Sequence, residues 1–288
     1  MLILDGKALS EKRGYALQSE IVKLKTQLGR SPKLSVLLVG EDVHSAHFVS
    51  LKKKKCEKLG IECEILKFGE DVTEDALKQT IESLNNDSAT DGILVQLPLP
   101  QHIDSTKIIE CIDYNKDVDG LTSKNLGLLA AGKPNLAPCT PQGIINLLKS
   151  NDIALEGKRA VVAGRSNLVG KPVAQMLLKE NCSVTIAHTA TEKFEQIIAE
   201  AEILVLAMGC QCRVTPEMLR QGVVIVDVAM NSSNGKFVGD IYSPENVEAL
   251  SAKCAAITPV PGGVGPMTIM SLMENIVKAA GKKAEQKR

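Results

Sequence analysis

The stretch RAVVAGRSNLVGKP at 159–172 constrains the fold of this chain more than any other. Residues 160–163 are small and apolar, as suits a parallel strand covered on both faces. Gly164 ends that run, Gly170 permits close approach of backbone to a neighbour or ligand, and Pro172 suits a first helical turn, where its missing N–H costs nothing. Strand, glycine-bounded turn and helix are the parts from which α/β proteins build phosphate sites, because a helix N-terminus offers unpaired N–H groups and the positive end of a dipole. Against the G-x-G-x-x-G fingerprint, the second glycine is Ser166 and the third falls on Val169, one residue before Gly170. A turn without a ligand explains such a match as readily as a dinucleotide does. An acidic residue about 20 positions on would take the ribose 2′-hydroxyl of NAD. That position holds His188 and Thr189, with no carboxylate until Glu192. With Arg165 and Ser166 in the turn, a 2′-phosphate is better tolerated than in an NAD site.

The strand–helix alternation recurs along the chain. Apolar spacing predicts a helix over 5–28, a strand over 33–39, a helix over 45–59, a strand over 62–68, a helix over 73–84 and a strand over 92–97. After the polar loop DYNKDVDG at 113–120, a helix begins at Thr140 and Pro141. Strands are then expected over 159–163, 183–187, 203–207 and 223–228, separated by helices over 169–180, 194–200 and 216–221. A hairpin or loop around Asn234 and Gly235, a Pro/Gly-rich loop at 257–267, a helix over 268–280 and a disordered tail after Gly281 complete the expectation. The fold class is therefore α/β: two domains, the first with a parallel sheet and the second Rossmann-like and doubly wound.

Composition narrows the function. Acidic and basic residues balance at 34 each and aromatics make up 2%, which leaves neither a basic footprint nor a stacking platform for nucleic acid. No segment approaches 18 consecutive apolar residues and no signal peptide is evident, so a cytoplasmic protein without a membrane association is expected. The eight cysteines are scattered except Cys210 and Cys212, whose spacing lacks a second ligand pair; reduced thiols rather than a metal site are expected.

Chemistry could sit in four places. Lysines 52–55 would ordinarily form a solvated face, but four in a row span the helix circumference, so one of them points inward. Phe48 and Ser45 lie four and seven residues before Lys52, on one face with it. Pro98 and Pro100 end the third strand, so Gln96 and the loop after Val39 should face one crevice. Asp117 and Asp119 read equally as turn residues or as a ligand carboxylate. Cys139, at a helix start where the dipole can lower a thiol pKa, reads first as a buried structural thiol.

Five motifs in order, GILVQLPLP (92–100), DVDG (117–120), PCTPQG (138–143), GRSNLVGKP (164–172) and TPVPGGVGPMT (258–268), closely resemble the bifunctional methylenetetrahydrofolate dehydrogenase/methenyltetrahydrofolate cyclohydrolase family, nearly end to end. The resemblance implies an N-terminal catalytic domain (1–120), a C-terminal NADP domain (140–267), folate in the cleft between them, a last helix (268–280) crossing back onto the first domain, and a homodimer. It implies that Lys52 is the catalytic lysine, Gln96 its hydrogen-bond partner and Asp119 the reader of the pterin edge. Ser45, Phe48 and Cys139 would line the folate site, Pro261, Gly262 and Gly263 would close over it, and Gly164, Arg165, Ser166, Thr189 and Met230 would hold the dinucleotide. Substrates would be tetrahydrofolate derivatives and the cofactor NADP, with NAD the alternative. Three departures stand out: the family's tyrosine four before the lysine is Phe48, HTAT at 188–191 replaces HSRT or HSKT and removes a cation, and DVAMN at 227–231 replaces DVGIN, with Gln211 in place of a proline. The first implies a weaker or lost cyclohydrolase step. A dehydrogenase of a small carbonyl or hydroxy acid, and a dinucleotide- or folate-holding protein without catalysis, are the rival readings; the former would need a Lys–Asp or His base, and the retained Lys52, Gln96 and Asp119 argue against the latter.

Overall fold

The computed structural model describes every residue except Cys212, Asn234, Gly235, Pro244, Lys287 and Arg288. The chain opens with β1 (Leu2–Ile3), α1 (Gly6–Leu28), β2 (Lys33–Val39), α2 (Val43–Leu59), β3 (Glu62–Phe68), α3 (Glu74–Asn86) and β4 (Gly92–Val95), then two short helices, α4 (Ser105–Glu110) and α5 (Ser123–Ala130). There follow α6 (Cys139–Ser150), β5 (Arg159–Ala163), α7 (Gly170–Lys179), β6 (Ser183–Ala187), α8 (Phe194–Ala199), β7 (Ile203–Leu206) and β8 (Val223–Asp227). The last elements are β9 (Asn231–Ser233), β10 (Lys236–Val238), α9 (Val247–Lys253), β11 (Cys254–Ile257) and α10 (Val264–Gln286). Two compact units result: Lys12–Cys139 with Ile269–Arg288, and Met1–Glu11 with Thr140–Thr268.

The first unit holds a parallel three-stranded sheet in the order β3-β2-β4. β2 reads KLSVLLV because both of its faces are covered. Leu34, Val36 and Leu38 pack with Leu17, Ile21 and Leu24 of α1, Val49 of α2 and Met273 and Ile276 of α10. Leu37 and Val39 pack on the other face with Leu77 and Ile81 of α3. Asp42 starts α2 by accepting the Ser45 N–H at 2.7 Å, and Gly60 stops it in the left-handed region. The buried ammonium of Lys116 donates to the carbonyls of Leu84, Asn85 and Asp87 at 2.8, 2.7 and 2.8 Å, closing the C-terminal end of α3, whose last carbonyls have no helical partner. Desolvation lowers the pKa of that ammonium.

The second unit holds six strands in the order β1-β11-β8-β7-β5-β6, all neighbours parallel. Residues alternate between two cores: Ala160, Val162, Ile203, Val205 and Val226 face α6 and α7, while Val161, Leu204, Leu206 and Ile225 face Phe194 and Ile198 of α8 and Leu250 of α9. Four of these strands answer to the sequence expectation; β1, β11 and α9 do not. β1 pairs Leu2 with Ala256 and Ile3 with Ile257, so the first residues join the second unit rather than the sheet that follows them in sequence. Over 216–221 only a single 3-10 turn, Pro216–Met218, forms. Asn231–Ser233 pairs antiparallel with Lys236–Val238, whereas the expected turn at Asn234 and Gly235 lies outside the described residues.

The expected disordered tail is helix as far as Gln286, Lys287 and Arg288 lying outside the described residues. α10 begins inside the Pro/Gly-rich stretch and runs to Gln286, well past Gly281. Burial of Ala284 and the bonds from the Lys283 ammonium to the Ser88 and Thr90 carbonyls, 2.8 and 3.1 Å, hold its last turns in the first unit.

Candidate active site

In the first unit, β2 and β4 end side by side, Leu37 level with Val95, and the next N–H, that of Gln96, donates to the Leu37 carbonyl at 2.9 Å. This places the Gln96 side chain beyond the carboxyl end of the sheet. Its amide N–H donates to the Leu97 carbonyl at 2.7 Å, which turns its oxygen to accept from the Lys52 ammonium at 2.9 Å. Lys52 and Lys55 are half-buried while Lys53 and Lys54 are exposed, and of the two half-buried lysines it is Lys52, on the face of Ser45 and Phe48, that reaches Gln96. Phe48 is half-buried and Ser45 is buried. Ser45, however, is engaged with the helix cap: its N–H and its hydroxyl both bond Asp42, holding that carboxylate below the ordinary aspartate range.

The two aspartates of DVDG separate by role. Asp117, 1% exposed, accepts from the Gly120 and Thr122 N–H groups, the Thr122 hydroxyl and the Asn125 amide at 2.8–3.0 Å, so it builds the turn. Asp119 keeps part of its surface open. Desolvation nonetheless raises its pKa, opposed by the charge of Lys52 and reinforced by that of Asp117. Lys52, Gln96 and Asp119 thus form one cluster: an ammonium with a neutral acceptor on one side and an acid of raised pKa within its field.

Cys139 stands behind the cluster rather than in an open wall. It is 2% exposed, its thiol donates to the Val118 carbonyl at 3.2 Å, and burial followed by the neighbouring Asp119 charge drives its pKa well up, against the lowering that a helix start could produce. It is a structural thiol in its chemistry. Sequence reasoning passed over Asn275, whose buried amide donates to the Val118 and Ala137 carbonyls at 2.9 and 2.8 Å, fixing the segments on either side of the site. The available signal was a lone amide among Leu272, Met273 and Ile276, since a buried amide must find partners.

In the second unit, the glycine-bounded turn is as tight as its sequence suggests. Gly164 has φ 131° and a Cβ there would fall 2.3 Å from the Ala207 carbonyl oxygen; a Cβ on Gly170 would fall 2.3 Å from that of Gly164. The late third glycine therefore lets the first turn of α7 rest directly on the end of β5. Ser166 caps that turn, its hydroxyl accepting from the Val169 and Gly170 N–H groups at 3.2 and 3.4 Å. Arg165, Thr189 and Met230 are exposed around the ends of β5, β6 and β8. No carboxylate stands at the end of β6, where His188 N–H bonds the Thr191 hydroxyl at 2.8 Å. Pro261, Gly262 and Gly263 follow β11; the Gly262 carbonyl accepts from Lys7 N–H at 3.0 Å, and Gly6 must lack a side chain because a Cβ would lie 1.7 Å from the Gly263 oxygen.

A second element invisible in the sequence organises the loops beside this turn. Asp227, 1% exposed, accepts from the N–H groups of Asp240, Ile241 and Tyr242 at 2.8–2.9 Å. Asp240 in turn accepts from those of Met208, Gly209 and Cys210 at 2.8, 3.2 and 2.8 Å. Desolvation lifts the Asp227 carboxyl to about 6, opposed by its three N–H bonds and reinforced by Asp240.

Two family models match the chain: the tetrahydrofolate dehydrogenase/cyclohydrolase catalytic domain over residues 4–119 and the NAD(P)-binding domain of the same family over 138–284. The bifunctional protein FolD of Listeria innocua is 46% identical over 279 residues, 96% of each chain. Among solved structures, the bifunctional methylenetetrahydrofolate dehydrogenase/cyclohydrolase FolD of Campylobacter jejuni superposes with a TM-score of 0.94 at 43% identity, covering 98% of this chain and 99% of that one. The Trypanosoma brucei enzyme, solved with an NADP cofactor and an inhibitor, gives 0.92 at 32% identity over 98% of each chain. The chain belongs to the tetrahydrofolate dehydrogenase/cyclohydrolase family.

Proposed function

We propose that Lys52, Gln96 and Asp119 carry the folate chemistry of this chain, and that the glycine-bounded turn of the second unit holds its NADP. The protein oxidises 5,10-methylenetetrahydrofolate to 5,10-methenyltetrahydrofolate with NADP and hydrolyses the product to 10-formyltetrahydrofolate. The observation that carries the residue assignment is the 2.9 Å bond from the Lys52 ammonium to Gln96 with Asp119 in the field of the same ammonium.

The residues present fit NADP: Arg165 and Ser166 stand at the turn and the end of β6 lacks the carboxylate that would repel a 2′-phosphate. When bound, NADP accepts the hydride. The nitrogen lone pairs of the substrate stabilise the resulting methenyl cation, so this step needs orientation by the site rather than a side-chain base. Asp119 supplies that orientation through the pterin edge and Phe48 through its ring. In hydrolysis, water adds to the methenyl carbon, one proton leaves, and the bond from that carbon to N5 opens to give the N10-formyl product. Lys52 moves the protons, and Gln96, with its oxygen fixed toward the ammonium, keeps the amine in one orientation. Against the rival small-carbonyl dehydrogenase stands the match of both domains to the tetrahydrofolate dehydrogenase/cyclohydrolase family.

Lys52→Met is expected to abolish methenyl hydrolysis, read as loss of absorbance of the methenyl substrate, while Lys53→Met and Lys54→Met leave it near normal. Equal losses in all three refute the assignment. A homodimer and a cytoplasmic location complete the proposal, supported by the family and by the finding that, among the described residues, no helix is long and apolar enough to cross a membrane.

A further inference from the structure

We propose that Arg213, together with Arg165, recognises the 2′-phosphate of NADP, so that a residue of the loop after β7 sets the preference for NADP over NAD. The proposal rests on the cofactor reading above. Ala163 at the end of β5 is level with Ala187 of β6 on one side and Leu206 of β7 on the other. The segments after these three strands therefore leave one edge of the sheet together, where α/β proteins receive a dinucleotide. The first carries Arg165. The second, HTAT, has no cation through Thr191 and is folded on itself, with the His188 ring nitrogen accepting from Ala190 N–H at 3.2 Å and the Thr191 hydroxyl accepting from His188 N–H.

Arg213 comes from the third segment but reaches the second. Its guanidinium lies over the ring of Phe194, 5.1 Å from the centroid, and Phe194 is the first residue of α8, immediately after the β6–α8 loop. The ring is 3% exposed and belongs to the core, so it is a fixed anchor. The start of the Arg213 loop is fixed as well, by the three N–H bonds to Asp240. A ring attracts the cation by its quadrupole and supplies no lone pair acceptor in its plane, so the guanidinium donors are left for an anion. Glu192 and Glu195 flank the anchor, yet among the described residues no ion pair joins either to Arg213. The result is an exposed, positioned guanidinium beside a loop whose HTAT segment carries no cation before Lys193, on the same sheet edge as Arg165.

Calorimetric titration of the full chain with NADP, NAD and adenosine 2′,5′-bisphosphate tests this. Arg213→Met, which keeps reach and removes charge, is expected to weaken NADP and the bisphosphate about tenfold or more, the scale of one charge-assisted bond, and to leave NAD within about twofold. Arg213→Lys should recover part of the loss, and unchanged thermal unfolding shows that the loop substitution has not cost the fold. Equal weakening of NADP and NAD, or none, overturns the role of Arg213. An unmodified protein without preference for NADP overturns the cofactor reading itself, whereas a preference that persists in Arg213→Met and falls only in Arg165→Ala overturns the proposal alone.

Discussion

Replacing Asp227 by Asn turns a buried carboxyl into a neutral amide, and the consequence depends on pH in a direction that can be worked out. The carboxyl has an ordinary value of 3.8 and is lifted to about 6 in the folded chain by burial. Between those values the folded state binds a proton that the unfolded state has released, so stability from this group is fully present below about pH 4 and is lost as pH rises through about 6. The gap, at 1.36 kcal/mol for each pH unit, amounts to about 3 kcal/mol. The assay is urea unfolding of the unmodified chain and Asp227→Asn at intervals from pH 4 to 8, following the transition of the second unit. Subtracting one stability curve from the other removes every group the two share, and the difference should fall by about 3 kcal/mol across that window and be level above it. The opposing force is explicit: three N–H groups at 2.8–2.9 Å favour the anion. A difference that rises with pH means those bonds outweigh burial and refutes the reasoning.

Phe48→Tyr adds a hydroxyl four residues before Lys52, on the same face of α2; methenyl hydrolysis should rise, by up to about 10²-fold, while hydride transfer stays within about twofold, both measured on one preparation. A flat or falling hydrolysis rate would mean that Gln96 alone orients the amine. Lys116→Met leaves the Leu84, Asn85 and Asp87 carbonyls without their donor, and at about 1 kcal/mol or more for each the loss should be about 2–4 kcal/mol in urea unfolding of the first unit. A loss under about 1 kcal/mol would show that water replaces the ammonium.

What the sequence makes legible follows from how each residue is held. β2 and β5 could be read because strands covered on both faces must be apolar throughout. Helical geometry put Lys52 on the face of Ser45 and Phe48 and apart from the exposed Lys53 and Lys54, although Lys55 is half-buried as well, and the Gly164–Gly170 contact could be read from the absence of side chains. β1 could not be read, since two residues carry no periodicity and their partner lies more than 250 positions away in the chain. Asp227, Lys116 and Asn275 look like surface residues in sequence, because a polar side chain gives no sign that backbone groups will surround it. The helical tail was hidden for a related reason: lysines that reach carbonyls of other segments have the same composition as lysines in water. Ser45 shows the limit of face-sharing arguments, since its position on the helix was correct but its polar groups serve the cap.

The division of the chain into interleaved segments also governs how it can be made. The first unit draws on Ile269–Arg288 and the second on Met1–Glu11, so neither unit is a continuous length of polypeptide. On the ribosome, the segment 12–139 emerges early but lacks Met270, Met273, Ile276 and Ala280, which complete its core. β2, β3 and β4 must therefore wait, partly uncovered, while the other five strands of the six-stranded sheet are synthesised, and their apolar face is exposed to chaperones or to other chains until the last helix arrives. The opening residues face the converse delay, since β1 has nothing to pair with until β11 is made. Such threading joins the two units in one order of assembly and makes a gene cut at any single point between them a poor source of either half.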